Sequence, residues 1–135
     1  MSYRTIPAIP TAYNGTTYAS RLEFRVARLL TERKIAFEYD KRFHTNSNTA
    51  GYRSVDFWLP EPILICWSDF YVSGLEAKGV LDVRSYLQRQ ALREVGVQTF
   101  IITDAVCTFY ERYAFLKSEF RSKYGRSLVI PRDLA

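Results

Sequence analysis

Gly74-Leu75-Glu76-Ala77-Lys78-Gly79, read with Val55-Asp56-Phe57-Trp58-Leu59-Pro60 upstream, decides how this chain is understood. Both stretches read as strands, in which alternate side chains share a face. Glu76 and Lys78 therefore point one way, while Leu75 and Ala77 point into the core. Asp56 faces away from Val55, Phe57 and Leu59, and Trp58 shares its side and covers part of it. Pairing of the two strands brings two carboxylates and an ammonium onto one face. Carboxylates hold Mg2+, and a metal-bound water ionises more readily, giving a nucleophile near neutral pH. The lysine positions that water or stabilises charge developing on a phosphate.

Outward from these strands the hydrophobic period changes several times. Leu22, Val26, Leu29 and Leu30 form the i, i+4, i+7, i+8 stripe of an amphipathic helix. It starts near Ser20 and stops around Arg33-Lys34. Ile35, Phe37 and Tyr39 alternate with polar neighbours as a strand, and 44–51 is a polar loop. The Asp56 strand ends at Pro60-Glu61-Pro62; 63–67 reads as a further short strand, and Trp67-Ser68-Asp69-Phe70 as a turn. Val83, Leu87, Ala91 and Val95 mark a second helix, with Gly96 as its C-terminal cap. Residues 99–103 form an uncharged strand expected in the interior. Phe109, Tyr113, Leu116 and Phe120 line one face of a last helix that ends by Gly125. Residues 1–17 carry Pro7, Pro10 and Gly15 without periodicity and read as a flexible arm before one domain over 18–135. The order α-β-β-β-β-α-β-α implies an α/β fold, a mixed sheet flanked by helices.

Composition narrows the chemistry. A chain of 135 residues with 47% hydrophobic and 24% charged side chains builds one well-packed core. Its formal net charge of +5 favours a polyanionic partner without naming one. Cys66 and Cys107 lie in apolar surroundings and read as buried free thiols of a reducing compartment. No stretch resembles a secretion signal or a membrane span, so a soluble, cytoplasmic protein is expected. His44, the single histidine, sits in a polar loop as a solvated side chain and leaves little for triad catalysis. No glycine-rich phosphate loop is present.

Glu23 has two readings. On a helix, positions seven apart differ by about 20°, so Glu23 lies nearly over Leu30 on the side facing the core. An unpaired carboxylate is costly there unless a metal or a cation meets it. Ser20-Arg21-Leu22-Glu23 also fits a capping box, in which the glutamate reaches back to the cap's N–H. The two roles are compatible. Asp56 alone, or Glu76 with Lys78 alone, would pass for solvated charge or a modest surface ion pair. Asp on a strand ending in proline, Glu-x-Lys-Gly on a later strand and an inward Glu on the preceding helix are more specific together. Arg21, Lys41, Arg42, Arg53, Arg84 and Arg89, with Arg93, are placed to track a phosphate backbone. For any one of them a solvated position is the simpler account.

These residues resemble the PD-(D/E)xK nuclease superfamily and, more narrowly, the phage endonuclease I family of Holliday junction resolvases. Ser20-Arg21-Leu22-Glu23 is similar to that family's first-helix motif, whose glutamate is a catalytic ligand. Lys34-Ile35-Ala36-Phe37-Glu38-Tyr39 is similar to its helix-to-strand passage. Asp56-Phe57-Trp58-Leu59-Pro60 and Leu75-Glu76-Ala77-Lys78-Gly79 resemble its metal-binding strands, and Leu128-Val129-Ile130-Pro131 its closing segment. Val55 stands where the superfamily usually has proline, and 63–72 is an added apolar segment. The resemblance implies a restriction-endonuclease-like fold and a Mg2+-dependent endodeoxyribonuclease, with Mn2+ as a substitute. It also implies branched DNA as substrate and a homodimer. Glu23, Asp56, Glu76 and the Ala77 carbonyl would hold metal, and Lys78 would orient or activate the attacking water. A restriction, nicking or transposon-end endonuclease is the alternative within the superfamily. A non-catalytic DNA-binding protein on the same fold is the alternative outside enzymes.

Overall fold

Asn14 and Gly15 take positive φ, 51° and 81°, and join Thr11–Tyr13 (β1) to Thr16–Tyr18 (β2) in a two-residue hairpin. That turn's twist matches the twist of its strands, which is why Asn-Gly is favoured in it. The flexible arm expected over 1–17 is therefore a hairpin from Thr11 onward. Residues 1–8 are outside the described residues: the computed structural model describes 9–45 and 52–125. Most of the polar loop and the closing segment 128–131 also lie outside them. Tyr18 anchors the hairpin, buried with its ring edge-on to Tyr39 at 4.7 Å and stacked on Phe57.

Arg21–Glu32 (α1) begins as its sequence requires. Ser20 Oγ accepts the Glu23 N–H at 3.1 Å, and Leu22, Val26, Ala27, Leu29 and Leu30 are buried. It closes with Lys34 at φ 56°, whose N–H reaches the Thr31 carbonyl while the Ile35 N–H reaches that of Leu30. This is a Schellman motif with lysine in the place glycine usually takes.

Among the described residues, four strands form the main sheet in the order β3-β4-β5-β6. Glu38–His44 (β3) and Val72–Ala77 (β5) each run antiparallel to Tyr52–Ile63 (β4), and Thr99–Ile102 (β6) runs parallel to β5. Val83–Glu94 (α2) makes the crossover between the two parallel strands. Among the described residues β6 is thus at the edge of the sheet, although Thr99 and Ile102 on it are buried, as its lack of charge suggested. The mixed sheet flanked by helices matches the α/β class read from the sequence.

β4 outruns its expected end at Pro60. Trp58 pairs with Gly74 and Ile63 with Val72, a register shift that leaves 59–62 without ladder partners on β5. Proline lacks the ladder N–H, so this irregular stretch is where Pro60 and Pro62 are tolerated. Of the strand expected at 63–67, Ile63 ends β4 and pairs with Val72, and the rest does not join the sheet. Ile65 bridges Leu116, the Cys66 N–H reaches the Phe115 carbonyl at 2.8 Å, and the Lys117 N–H reaches that of Leu64. That contact also splits the last helix into Asp104–Arg112 (α3) and Lys117–Tyr124 (α4), with Ala114 and Phe115 buried between them. One apolar segment thus accounts for both departures.

The core lies on both sides of the sheet. Phe57, Leu59, Leu75 and Ile102 pack with α1 and α3, while Val55 packs with Leu92 and Val97 in a smaller cluster under α2. Val55 and Phe57 would share a face in a regular strand, so β4 turns its faces over at Asp56. β3 does so at the same level: Asp40 has φ 55°, with Tyr39 opposite Phe57 and Lys41 opposite Val55. α2 departs from its expected stripe as well. It buries Ser85, Ala91 and Leu92 and leaves Val83 and Leu87 exposed.

Candidate active site

Asp56 and Glu76 meet where β4 changes faces. Asp56 Oδ2 accepts the Ala77 N–H at 2.8 Å. Glu76 is 3% exposed, and its Oε1 accepts from Gln88 Nε2 at 3.1 Å. The same Gln88 nitrogen donates to the Ser54 carbonyl at 2.8 Å, which uses both amide hydrogens and fixes the side chain's orientation. Lys78 Nζ stands 3.8 Å from Glu76 Oε2. That oxygen is buried with no hydrogen-bond partner among the described residues.

Glu23 approaches from the first turn of α1. Its N–H binds Ser20, as in a capping box, but its carboxylate turns elsewhere: Tyr39 Oη donates to Glu23 Oε1. The Tyr39 hydroxyl in turn accepts the Ala19 N–H at 3.2 Å. Each of the three carboxylates is therefore tethered through one oxygen by a fixed donor. Such tethers orient ligand groups in metal sites and raise their precision.

Burial dominates the electrostatics. It raises the Glu76 carboxyl to about 8, with the Asp56 charge pushing the same way and Lys78 opposing. Burial also raises Asp56, against the Ala77 N–H and the Lys78 ammonium. Glu23 is raised by burial, pulled back by the Tyr39 hydroxyl, and feels the charges of Asp56 and Lys78. Two carboxylates in one dry site do not both ionise freely. Among the described residues no three acidic, histidine or cysteine side chains are gathered as a ready metal cage. Asp56 and Glu76 are a pair, and Glu23 is held beside them by Tyr39. The unpartnered Glu76 Oε2 is nonetheless a donor atom suited to a hard cation.

The basic residues are scattered around this centre. Arg21 is exposed at the start of α1, and Arg42 is exposed on β3. Lys41 is engaged, 3.0 Å from Glu38 and 3.9 Å from the Trp58 ring centroid. Trp58 thus sits under Lys41. Arg53 is half-buried on β4 opposite Phe43. Arg84 is exposed on α2, and Arg89 lies over the Phe70 ring at 5.8 Å. His44 is exposed against Tyr52, at 4.1 Å between rings. Cys66 and Cys107 are buried free thiols, each pushed up to about 11 chiefly by burial.

Tyr39 and Gln88 escaped the sequence reading. Tyr39 looked like one more apolar position of an alternating strand, and nothing in the stripe of the second helix singled out Gln88. Only the packing of α1 and α2 on the sheet puts their polar ends on carboxylates. Comparison with protein-family models, curated proteins and solved structures finds no match to this chain. No helix among the described residues is long and apolar enough to cross a membrane.

Proposed function

We propose that this chain is a metal-dependent, structure-selective endodeoxyribonuclease of the PD-(D/E)xK type, acting as a homodimer on four-way DNA junctions. The observation that carries the reading is the buried Glu76 Oε2, without a hydrogen-bond partner among the described residues and set between a second carboxylate and the Lys78 ammonium. Lys78 offsets only part of the charge that two ionised carboxylates would carry in so dry a place, and a divalent cation would stabilise both in that form. Asp56, Glu76 and the Ala77 carbonyl, with Glu23 alongside, are the groups to hold Mg2+ or Mn2+. The bound ion would supply a more acidic water and offset phosphate charge.

The chain's own groups supply the rest of the chemistry. The Ala77 N–H and the Gln88 amide hold the two central carboxylates in place before substrate arrives. Hydrolysis joins the oxygen of water to phosphorus and breaks one P–O ester bond, and the departing oxygen takes a proton. Lys78 orients the attacking water or offsets charge on the phosphate as that bond changes. Arg21, Lys41, Arg42, Arg53, Arg84 and Arg89 contribute salt-dependent affinity for the DNA backbone.

The test is Mg2+-dependent cleavage of a labelled four-way junction beside a linear duplex of matching sequence, with Lys78→Ala as control. Paired nicks near the branch point, absent in the control, are expected. Cutting of the duplex alone replaces the junction reading with a restriction, nicking or transposon-end nuclease. Tight binding of both without cutting makes the chain a non-catalytic DNA-binding protein.

A further inference from the structure

The segment that leaves the Lys78 strand is apolar on its outside. Val80 is 74% exposed, Val83 73%, Leu87 57% and Tyr86 54%. α2 turns Leu92 and Ser85 toward the sheet and spends Gln88 on Glu76 and Ser54. At about 100° per residue, Val83, Tyr86 and Leu87 fall on its opposite side. Arginines are interleaved with them. Arg84 and Arg93 are exposed, and neither lies within 4.0 Å of a carboxylate among the described residues. Farther along the helix an open groove of about 480 Å³ is lined by Tyr86, Arg89, Gln90, Arg93 and Glu94.

Resting on the nuclease reading, we infer that this outer face of α2 receives unpaired nucleotides flanking the phosphate to be cut. Bases lie on Val80, Val83, Tyr86 and Leu87, and phosphates meet Arg84 and Arg93. A polynucleotide held at Lys78 must continue past neighbouring residues, and Val80 is only two positions away. The outside of a duplex is hydrated phosphate, against which these side chains gain nothing. An unstacked base offers a π-face that they and the tyrosine can cover, with cations beside it for the backbone. A second copy of the chain fits less well. A two-fold contact through this face would bring the arginines of both copies together out of water.

The test compares wild type with the Val83→Ser/Leu87→Ser double variant and with Tyr86→Ala, all substitutions at exposed positions that leave the core intact. Binding is measured in EDTA by fluorescence anisotropy, on a linear duplex and on the same duplex carrying a single-stranded gap. About tenfold weaker binding of the gapped DNA by the variants is expected, with duplex affinity within a factor of two. Quenching of 2-aminopurine fluorescence in the gap should weaken in parallel. Equal losses on both DNAs, or no loss on either, overturn the inference while wild-type DNA binding keeps the nuclease reading alive. Wild-type protein that binds neither DNA overturns the inference, and failure to bind a four-way junction as well overturns the nuclease reading. A dimer in sedimentation that the double variant converts to monomer assigns the face to a second copy. Binding to anionic vesicles that the variants abolish assigns it to a lipid surface. Either result overturns the inference.

Discussion

Glu76→Gln should make the metal-free protein more stable as pH rises, while removing metal binding and cleavage. The folded carboxyl titrates near 8 against 4.5 for an ordinary glutamate, chiefly because of burial and the neighbouring Asp56 charge. The folded state therefore binds the extra proton between those values, and its stability falls as pH climbs through that window. Each pH unit is worth about 1.4 kcal/mol, so the full span caps the loss at about 5 kcal/mol. Asp56 shares the proton, and roughly 2–3 kcal/mol is the expected share for this position. Glutamine mimics the protonated acid. Its oxygen still accepts from Gln88, and its amide can donate toward Asp56 without placing a second charge there. Urea unfolding at pH 5.5, 7.0 and 8.5 is the assay. The variant's advantage should be small at pH 5.5 and reach about 2–3 kcal/mol at pH 8.5. Adding Mg2+ at pH 8.5 should stabilise the wild type and leave the variant unmoved. A pH-independent difference, or a variant less stable than wild type at pH 8.5, would refute the reasoning.

Other substitutions probe separate parts of the structure. Tyr39→Phe keeps the ring among Tyr18 and Phe57 but frees Glu23; calorimetry with Mn2+ should show about tenfold weaker binding, and an unchanged Kd would deny Tyr39 a positioning role. Gly74→Ala would put a methyl 2.9 Å from Val55 Cγ1 and 3.1 Å from Thr99 Cγ2. Thermal unfolding should register a loss of about 1–3 kcal/mol, and an unchanged Tm would mean that the sheet yields at that point. Arg33 makes two 2.7 Å hydrogen bonds to Glu119 and holds that carboxyl down to about 2. This stabilisation is present above pH 4.5 and is lost as pH falls toward 2. Arg33→Ala should therefore cost about 2 kcal/mol at pH 7 and little at pH 2.5 in chemical denaturation; an equal cost at both would point to packing on Phe115 instead.

What could be read from the sequence depended on how local its physical cause was. The helix over α1 was legible from its stripe and from Ser20, because capping and amphipathic burial involve residues three to eight apart. Strand alternation likewise separated Leu75 from Glu76 before any partner strand was known. The Asn14-Gly15 turn was equally local but lay in a short stretch whose prolines drew it into the arm. The edge position of β6, the burial of α2 on Ser85 and Leu92, and the split of α3 from α4 were different in kind. Each follows from which surface a segment meets, and Ile65 against Leu116 or Gly74 against Val55 and Thr99 are contacts between distant parts of the chain.

The candidate site divides in the same way. Sequence alone determined which residues carry charge on the two central strands and that Glu76 and Lys78 share a face. Only the tertiary structure decided that Gln88 and Tyr39 hold the carboxylates, and that Glu76 Oε2 is buried without a hydrogen-bond partner among the described residues. Residue type and strand period depend on a residue and its immediate neighbours. Desolvation depends on everything that packs around it, and it is desolvation that chiefly raises the Glu76 carboxyl to about 8.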